Sequence, residues 1–229
     1  MTTVSPTAGE QLTALRAAVD GLLSADLSLL AREELLGVVR GFETESRRLV
    51  AVQHRLVAEV QDRNVAGELR YRDTAGLLSE LLLLTRGQAT ARVAAADSFG
   101  PRRSLAGETL APRLPAAAAA VAEGAISPAH ATVIANTIEA LPGPVRAAHA
   151  GSADALLTEH ATGLTTRQLS LAADRILAFL HPDGTLTPDR VHEQDRDLVL
   201  RRNPDGSGDW RAPTKTPTQP NAPLLRACR

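Results

Sequence analysis

The sequence predicts an all-α protein, a multi-helix bundle followed by a small C-terminal β-hairpin and a disordered tail. Three observations carry that expectation. Aromatic residues make up only 2% of the 229 residues while hydrophobic residues reach 44%. Ala, Leu and Val therefore stand where rings would, and the small and unbranched side chains among them lose little rotamer freedom in a helix. Helix starts are also written in side-chain chemistry. Thr85 with Gln88 and Thr165 with Gln168 have capping-box spacing, and Ser127-Pro128 reads as N-cap and first helical residue. Finally, Gly100-Pro101, Pro142-Gly143-Pro144 and Pro182-Asp183-Gly184 supply stops and turns between the periodic segments.

Taken in order, an Ala- and Leu-rich helix around Gly9–Leu23 comes first. The segment Leu30–Asn64 carries the strongest helical signal. Leu35, Phe42, Leu49 and Leu56 recur every seven residues; Val38 and Val52 fill the second seam position, where Glu45 and Glu59 interrupt it. Such a half-kept heptad fits a helix packed inside a bundle, or a partner helix across an interface. A polar break at Asn64–Tyr71 separates it from a short apolar helix, Thr74–Leu84. The Thr85/Gln88 box then opens a second helix to about Ser98, so the two form a helix-turn-helix-like unit. A looser stretch, Arg102–Leu114, leads into the alanine run 116–120, closed by Gly124 as a C-cap glycine. Three more helices follow: Ala129–Leu141, Val145–Thr162, and one from the Thr165/Gln168 box to about Leu180. These make about eight helices within a helical domain of residues 1–195. Asp197–Arg202 and Gly208–Ala212, joined by Asn203-Pro204-Asp205-Gly206, read as a hairpin over 196–212. The Pro-, Thr-, Gln- and Asn-rich segment 213–229 reads as a disordered tail.

Composition also bounds function. The net charge is −1, which argues against a strongly basic nucleic-acid binder. It is unevenly spread: residues 1–195 carry 18 Arg against 23 acids, and residues 196–229 carry 7 basic residues against 3 acids. Cys228 is the single cysteine, so neither an internal disulfide nor a Cys-rich zinc site is expected. Met1–Gln11 lacks the pattern of a signal peptide, and the longest apolar runs, Leu81–Leu84 and Ala116–Ala122, are too short to span a membrane. The expectation is a cytoplasmic protein with no membrane partner.

No catalytic pattern emerges. The six histidines, at 54, 130, 149, 160, 181 and 192, form neither His-x-x-x-His nor His-Glu-x-x-His. No nucleophile elbow, phosphate-binding loop or dinucleotide fingerprint is present. Gly206-Ser207-Gly208 is hairpin punctuation, and Glu33-Glu34 are solvated charges rather than an acid/base dyad. His130, one turn into the helix begun by Ser127, reads as a part-buried histidine bonded to a neighbouring helix. The sharpest binding candidate is the helix-turn-helix-like unit, with Arg86 and Arg92 on its second helix and Arg102 and Arg103 just beyond. Arginines so placed contact phosphate or guanine edges if that helix enters a groove. The alternative is two packed core helices, favoured by the Ala- and Leu-rich faces and by Glu80 and Asp97 nearby.

Three runs carry a family resemblance: "YRDTAGLLSELLLLTRGQATARVAAAD" at 71–97, "LPAAAAAVAEGAISPAHATVIANTIEALP" at 114–142 and "LRRNPDGSGDW" at 200–210. Their order and spacing resemble the DUF222 family, the actinobacterial and mycobacterial 13E12-repeat family, over about residues 30–210. The resemblance implies a link to DNA cleavage, because many longer members carry a C-terminal HNH endonuclease domain. Such a site needs a His general base and metal-binding His, Asp or Asn, often beside paired Cys-x-x-Cys ligands. After Trp210 this sequence has no His, and Cys228 has no partner. The ending "RAPTKTPTQPNAPLLRACR" reads like a truncation or a frameshift near Ala212, and the nuclease activity is not carried over.

The expectation is thus a non-enzymatic, cofactor-free and metal-free helical protein, an accessory to DNA transactions. Its DNA binding would be weak and non-specific, through Arg86, Arg92, Arg102 and Arg103. The rival expectation is a protein-interaction or oligomerisation module that uses the 30–64 helix to bind itself or another helical protein. A third is a decayed gene copy without a selected role.

Overall fold

The computed structural model describes residues 6–104 and 106–180, together with the backbone of 199–202 and 208–211. Nine α-helices lie among the described residues. They are α1 (Ala8–Ser24), α2 (Arg32–Asp62), α3 (Val65–Glu68), α4 (Thr74–Leu81), α5 (Arg86–Phe99), α6 (Pro115–Ala122), α7 (Pro128–Glu139), α8 (Gly143–Ala161) and α9 (Thr166–Leu180). A two-residue antiparallel pair, β1 (Arg102–Arg103) with β2 (Thr109–Leu110), sits between α5 and α6. The all-α class is confirmed. The chain divides into two compact units, Met1–Ala173 and Asp174–Arg229, with the division inside α9.

The first unit is organised around α2, which packs against both α5 and α6. On one side, Val57 of α2 meets Ala75 and Leu78 of α4 and Ala89 and Ala96 of α5 in a small core of mostly alanine-sized groups. On the other, α6, α7 and α8 pack mutually around Val121, Ile134 and Leu157, all fully buried. Alanines at these contacts let helix axes approach closely, which is how a ring-poor sequence still fills an interior.

The helix starts follow the sequence grammar. The Thr85 hydroxyl accepts from the Gln88 N–H while the Gln88 side chain accepts from the Thr85 N–H. Thr165 and Gln168 repeat the arrangement ahead of α9. At α7 the Ser127 hydroxyl accepts from the His130 N–H, with Pro128 at the first position. The α6 start differs, because Leu114 offers no capping side chain. Asp154 of α8 replaces it: its buried carboxylate accepts the N–H groups of Ala116 (2.9 Å) and Ala117 (3.2 Å). That is an N-cap supplied from another helix.

Gly124 ends α6 with φ +74°, and a Cβ there would stand 2.6 Å from the Thr44 carbonyl oxygen. Left-handed backbone and close approach to α2 both require glycine at this position. Arg47 and Arg48 of α2 donate to the carbonyls of Gly124, Ala125 and Ala122, completing the α6 terminus.

Two features depart from the sequence reading. The break at Asn64–Tyr71 contains the short helix α3, bracketed by left-handed Asn64 (φ 51°) and Arg70 (φ 61°). The looser stretch after Gly100 contains the β1–β2 pair.

In the second unit, β3 (Val199–Arg202) pairs antiparallel with β4 (Gly208–Arg211), Leu200 opposite Trp210. This confirms the expected hairpin. The expected disordered tail, 213–229, lies outside the described residues. Among the described residues no helix is long and apolar enough to cross a membrane.

Candidate functional site

The helix-turn-helix-like unit forms as α4, a tight turn through Leu83 (φ 53°), and α5. Its buried residues, Ala75, Leu77 and Leu78 of α4 with Ala89, Ala96 and Phe99 of α5, belong to the helical core. Arg86 leads α5 and is ion-paired to Asp73, the N-cap of α4. The Arg86 guanidinium, helped by the Gly76 N–H, holds the Asp73 carboxyl below the usual carboxylate range. Arg102 and Arg103 lie past the other end of α5, about 20 Å along its axis. Arg103 bridges Glu59 and Asp62 of α2, and the Arg102 Nε donates to the Ala111 carbonyl at 2.8 Å. Arg92 lies midway, half-buried, and makes no ion pair among the described residues. The four arginines are therefore not gathered on one face, and Arg86 and Arg103 are each neutralised by acids of this chain. The exposed side of α5 presents Gly87, Thr90, Ala91, Ala94 and Asp97.

The second candidate is the heptad seam of α2. Its core-facing side is the one that carries His54, Val57 and Ala58, together with Thr44 against Gly124. The seam lies on the opposite side. Leu35, Val38, Phe42, Leu49, Val52 and Leu56 are all between 38% and 62% exposed. α2 packs inside the bundle, one of the two readings the sequence left open, but through its other side against α5 and α6, and this seam stays exposed. α1 repeats the pattern: Leu12, Leu15, Val19 and Leu22 follow heptad spacing, each at least 38% exposed, and α1 buries no residue at all. Its first residue, Ala8, lines an open groove of about 500 Å³ with Val52, Arg55, Leu56 and Glu59. Seven residues separate α1 from α2, and Ala8 beside Val52 and Leu56 places the start of α1 near the second half of α2.

Among the described residues the histidines form no centre. His130 Nδ1 stands 2.6 Å from the Ser127 hydroxyl and its Nε2 lies 2.9 Å from the Leu164 carbonyl oxygen. The carbonyl can only accept, so Nε2 carries the proton. The histidine is part-buried and bonded as the sequence suggests, but to the loop carbonyl ahead of α9 and to its own N-cap rather than to a neighbouring helix. His54 is buried against Phe99, ring centroids 5.4 Å apart, and burial pushes its imidazole below the ordinary value. Burial pushes Asp154 up, opposed by the Ala116 and Ala117 N–H groups and the Thr158 hydroxyl. Among the described residues no three His, Cys, Asp or Glu side chains stand close enough to hold a metal. His181, His192 and Cys228 lie outside the described residues.

The family model for the domain of unknown function DUF222 matches residues 36–216. An uncharacterized protein of Mycobacterium tuberculosis is 34% identical over 192 residues, covering 83% of this chain and 45% of the relative. An uncharacterized protein of Mycobacterium bovis is 33% identical over 193 residues, covering 82% of this chain and 41% of the relative. The chain spans less than half the length of these relatives. No solved structure matches it.

Proposed function

The chain belongs to the DUF222 family, and from that premise we propose that it is a non-catalytic association module, acting through the outward heptad seams of α1 and α2. One observation carries the reading: ten apolar side chains at coiled-coil spacing on two consecutive helices are exposed. Monomeric proteins rarely expose contiguous apolar patches beyond a few hundred Å², and larger ones mark interaction sites. Any accessory role in DNA transactions, as the resemblance implies, is then exercised by holding another protein. Direct DNA contact through Arg86, Arg92, Arg102 and Arg103 is the weaker reading, because carboxylates of the chain already occupy Arg86 and Arg103.

A photo-crosslinking amino acid at Phe42, in cells, tests the association reading. The expected result is a discrete covalent adduct to a polypeptide, absent when the same group replaces Thr90 on the exposed side of α5. Equal, diffuse labelling at both positions, or none at Phe42, would remove the reading.

A further inference from the structure

The α1–α2 face carries information about what covers it, because its charges are not symmetric along the helix. Glu34, whose carboxylate also accepts the Ala31 N–H, stands at one edge of the heptad seam where α2 opens, and Arg55 stands on the same edge three heptads later. Arg55 is exposed and makes no ion pair among the described residues. We propose that the occupant is a second copy of this chain, whose α2 lies antiparallel on the first and whose α1 completes a four-helix bundle. This rests on the association reading above and names its partner.

Two identical helices can pair in parallel or antiparallel. Parallel pairing places each seam residue against itself, so Glu45 would face Glu45 and Glu59 would face Glu59 in an apolar layer. Like charges so placed disfavour that arrangement. Antiparallel pairing about an axis between Phe42 and Glu45 places Leu35 against Val52 and Val38 against Leu49. The same register brings Glu34 beside Arg55 of the other copy, twice per dimer by symmetry. Glu59 then falls beyond the paired stretch, where its own Arg63 and Arg103 hold it. Glu45 remains at the axis with its own Arg48, its methylenes available to Phe42 of the other copy.

Ten apolar side chains, each between 38% and 62% exposed, are available to an interface whose standard size is roughly 800 Å² per partner. α1 adds a second argument. A helix of 17 residues with no buried side chain has little but its own backbone to hold it, and such lengths are marginal alone in water. A four-helix bundle gives its seam a core to enter.

The test uses the full 229-residue chain in sedimentation equilibrium from low to high micromolar concentration. The expected mass rises from one chain to two. Glu34→Arg should weaken the dimer roughly threefold to tenfold, the effect of two exposed ion pairs made repulsive, and adding Arg55→Glu should restore it. Phe42→Glu should leave a monomer whose circular dichroism over the core helices is unchanged. A single-chain mass at every concentration overturns the second-copy proposal, as does a double charge swap that fails to recover binding. If the wild-type chain stays a single chain yet the crosslinking amino acid at position 42 gives an adduct to a different protein in cells, the association reading stands and only the identity of the occupant falls. If neither dimer nor adduct forms, both fall.

Discussion

Asp154 shows how one residue can join two helices. It is buried, yet its carboxylate meets the N–H groups of Ala116 and Ala117 where α6 has no cap of its own. Asp154→Ala leaves those donors unpaired in the interior and should cost about 2–4 kcal/mol. That is a fall of roughly 5–10 °C in thermal midpoint for a chain this size. Asp154→Asn keeps an acceptor oxygen and should cost distinctly less; equal losses would show that packing, not capping, is what matters. Gly124→Ala combines a left-handed φ with a clash against the Thr44 carbonyl and should cost about 2–4 kcal/mol, read by chemical denaturation. His54 gives a pH signature. Its folded-state value lies below the unfolded one, so the unfolded chain binds more protons as pH falls through about 6.5. Its contribution to stability is present above that range and is lost on acidification. His54→Leu keeps an apolar contact with Phe99 and should flatten this part of the stability–pH curve.

At the scale of elements, the helix starts were legible because they depend on three or four adjacent residues. Thr85/Gln88, Ser127-Pro128 and Thr165/Gln168 cap where their spacing says they should. α3 was not legible, because four residues show no periodicity and its bounds depend on left-handed Asn64 and Arg70. β1 escaped for a different reason: Arg103 is held by Glu59 and Asp62, more than forty positions away. The direction of the α2 seam was legible only in part. Its heptad announces an apolar face but not what meets it. The deciding signal was the small-residue ladder Gly37, Thr44, Ala51 and Ala58 on the other side, where Gly124 and Gly100 approach closely. Nearness in sequence groups the arginines of α5 and β1, while the fold places Arg86 and Arg103 at opposite ends of α5. If DNA adheres at low salt, replacing both Arg86 and Arg92 with Ala should change the affinity less than about twofold in fluorescence anisotropy. A purely phosphate-directed site would lose more, with a shallower salt slope.

For the whole molecule, α2 is shared between two faces. One side closes the helical core; the other carries the exposed heptad seam that the proposed second copy would cover. The function proposed is therefore one of assembly. Plasmid incubated with the purified chain and Mg²⁺, Mn²⁺ or Zn²⁺ should stay intact, and cleavage that follows the protein through purification would overturn the non-catalytic reading. Amide hydrogen exchange along α1 tests the central claim most directly, since α1 has no buried residue in the single chain and can gain protection only from what covers it. In the wild-type chain at concentrations where it is dimeric, the amides of Leu12–Leu22 should be strongly protected. Phe42→Glu should abolish that protection while α7 keeps its own. Exchange of α1 at unstructured-chain rates in the wild type, at every concentration, would contradict the account.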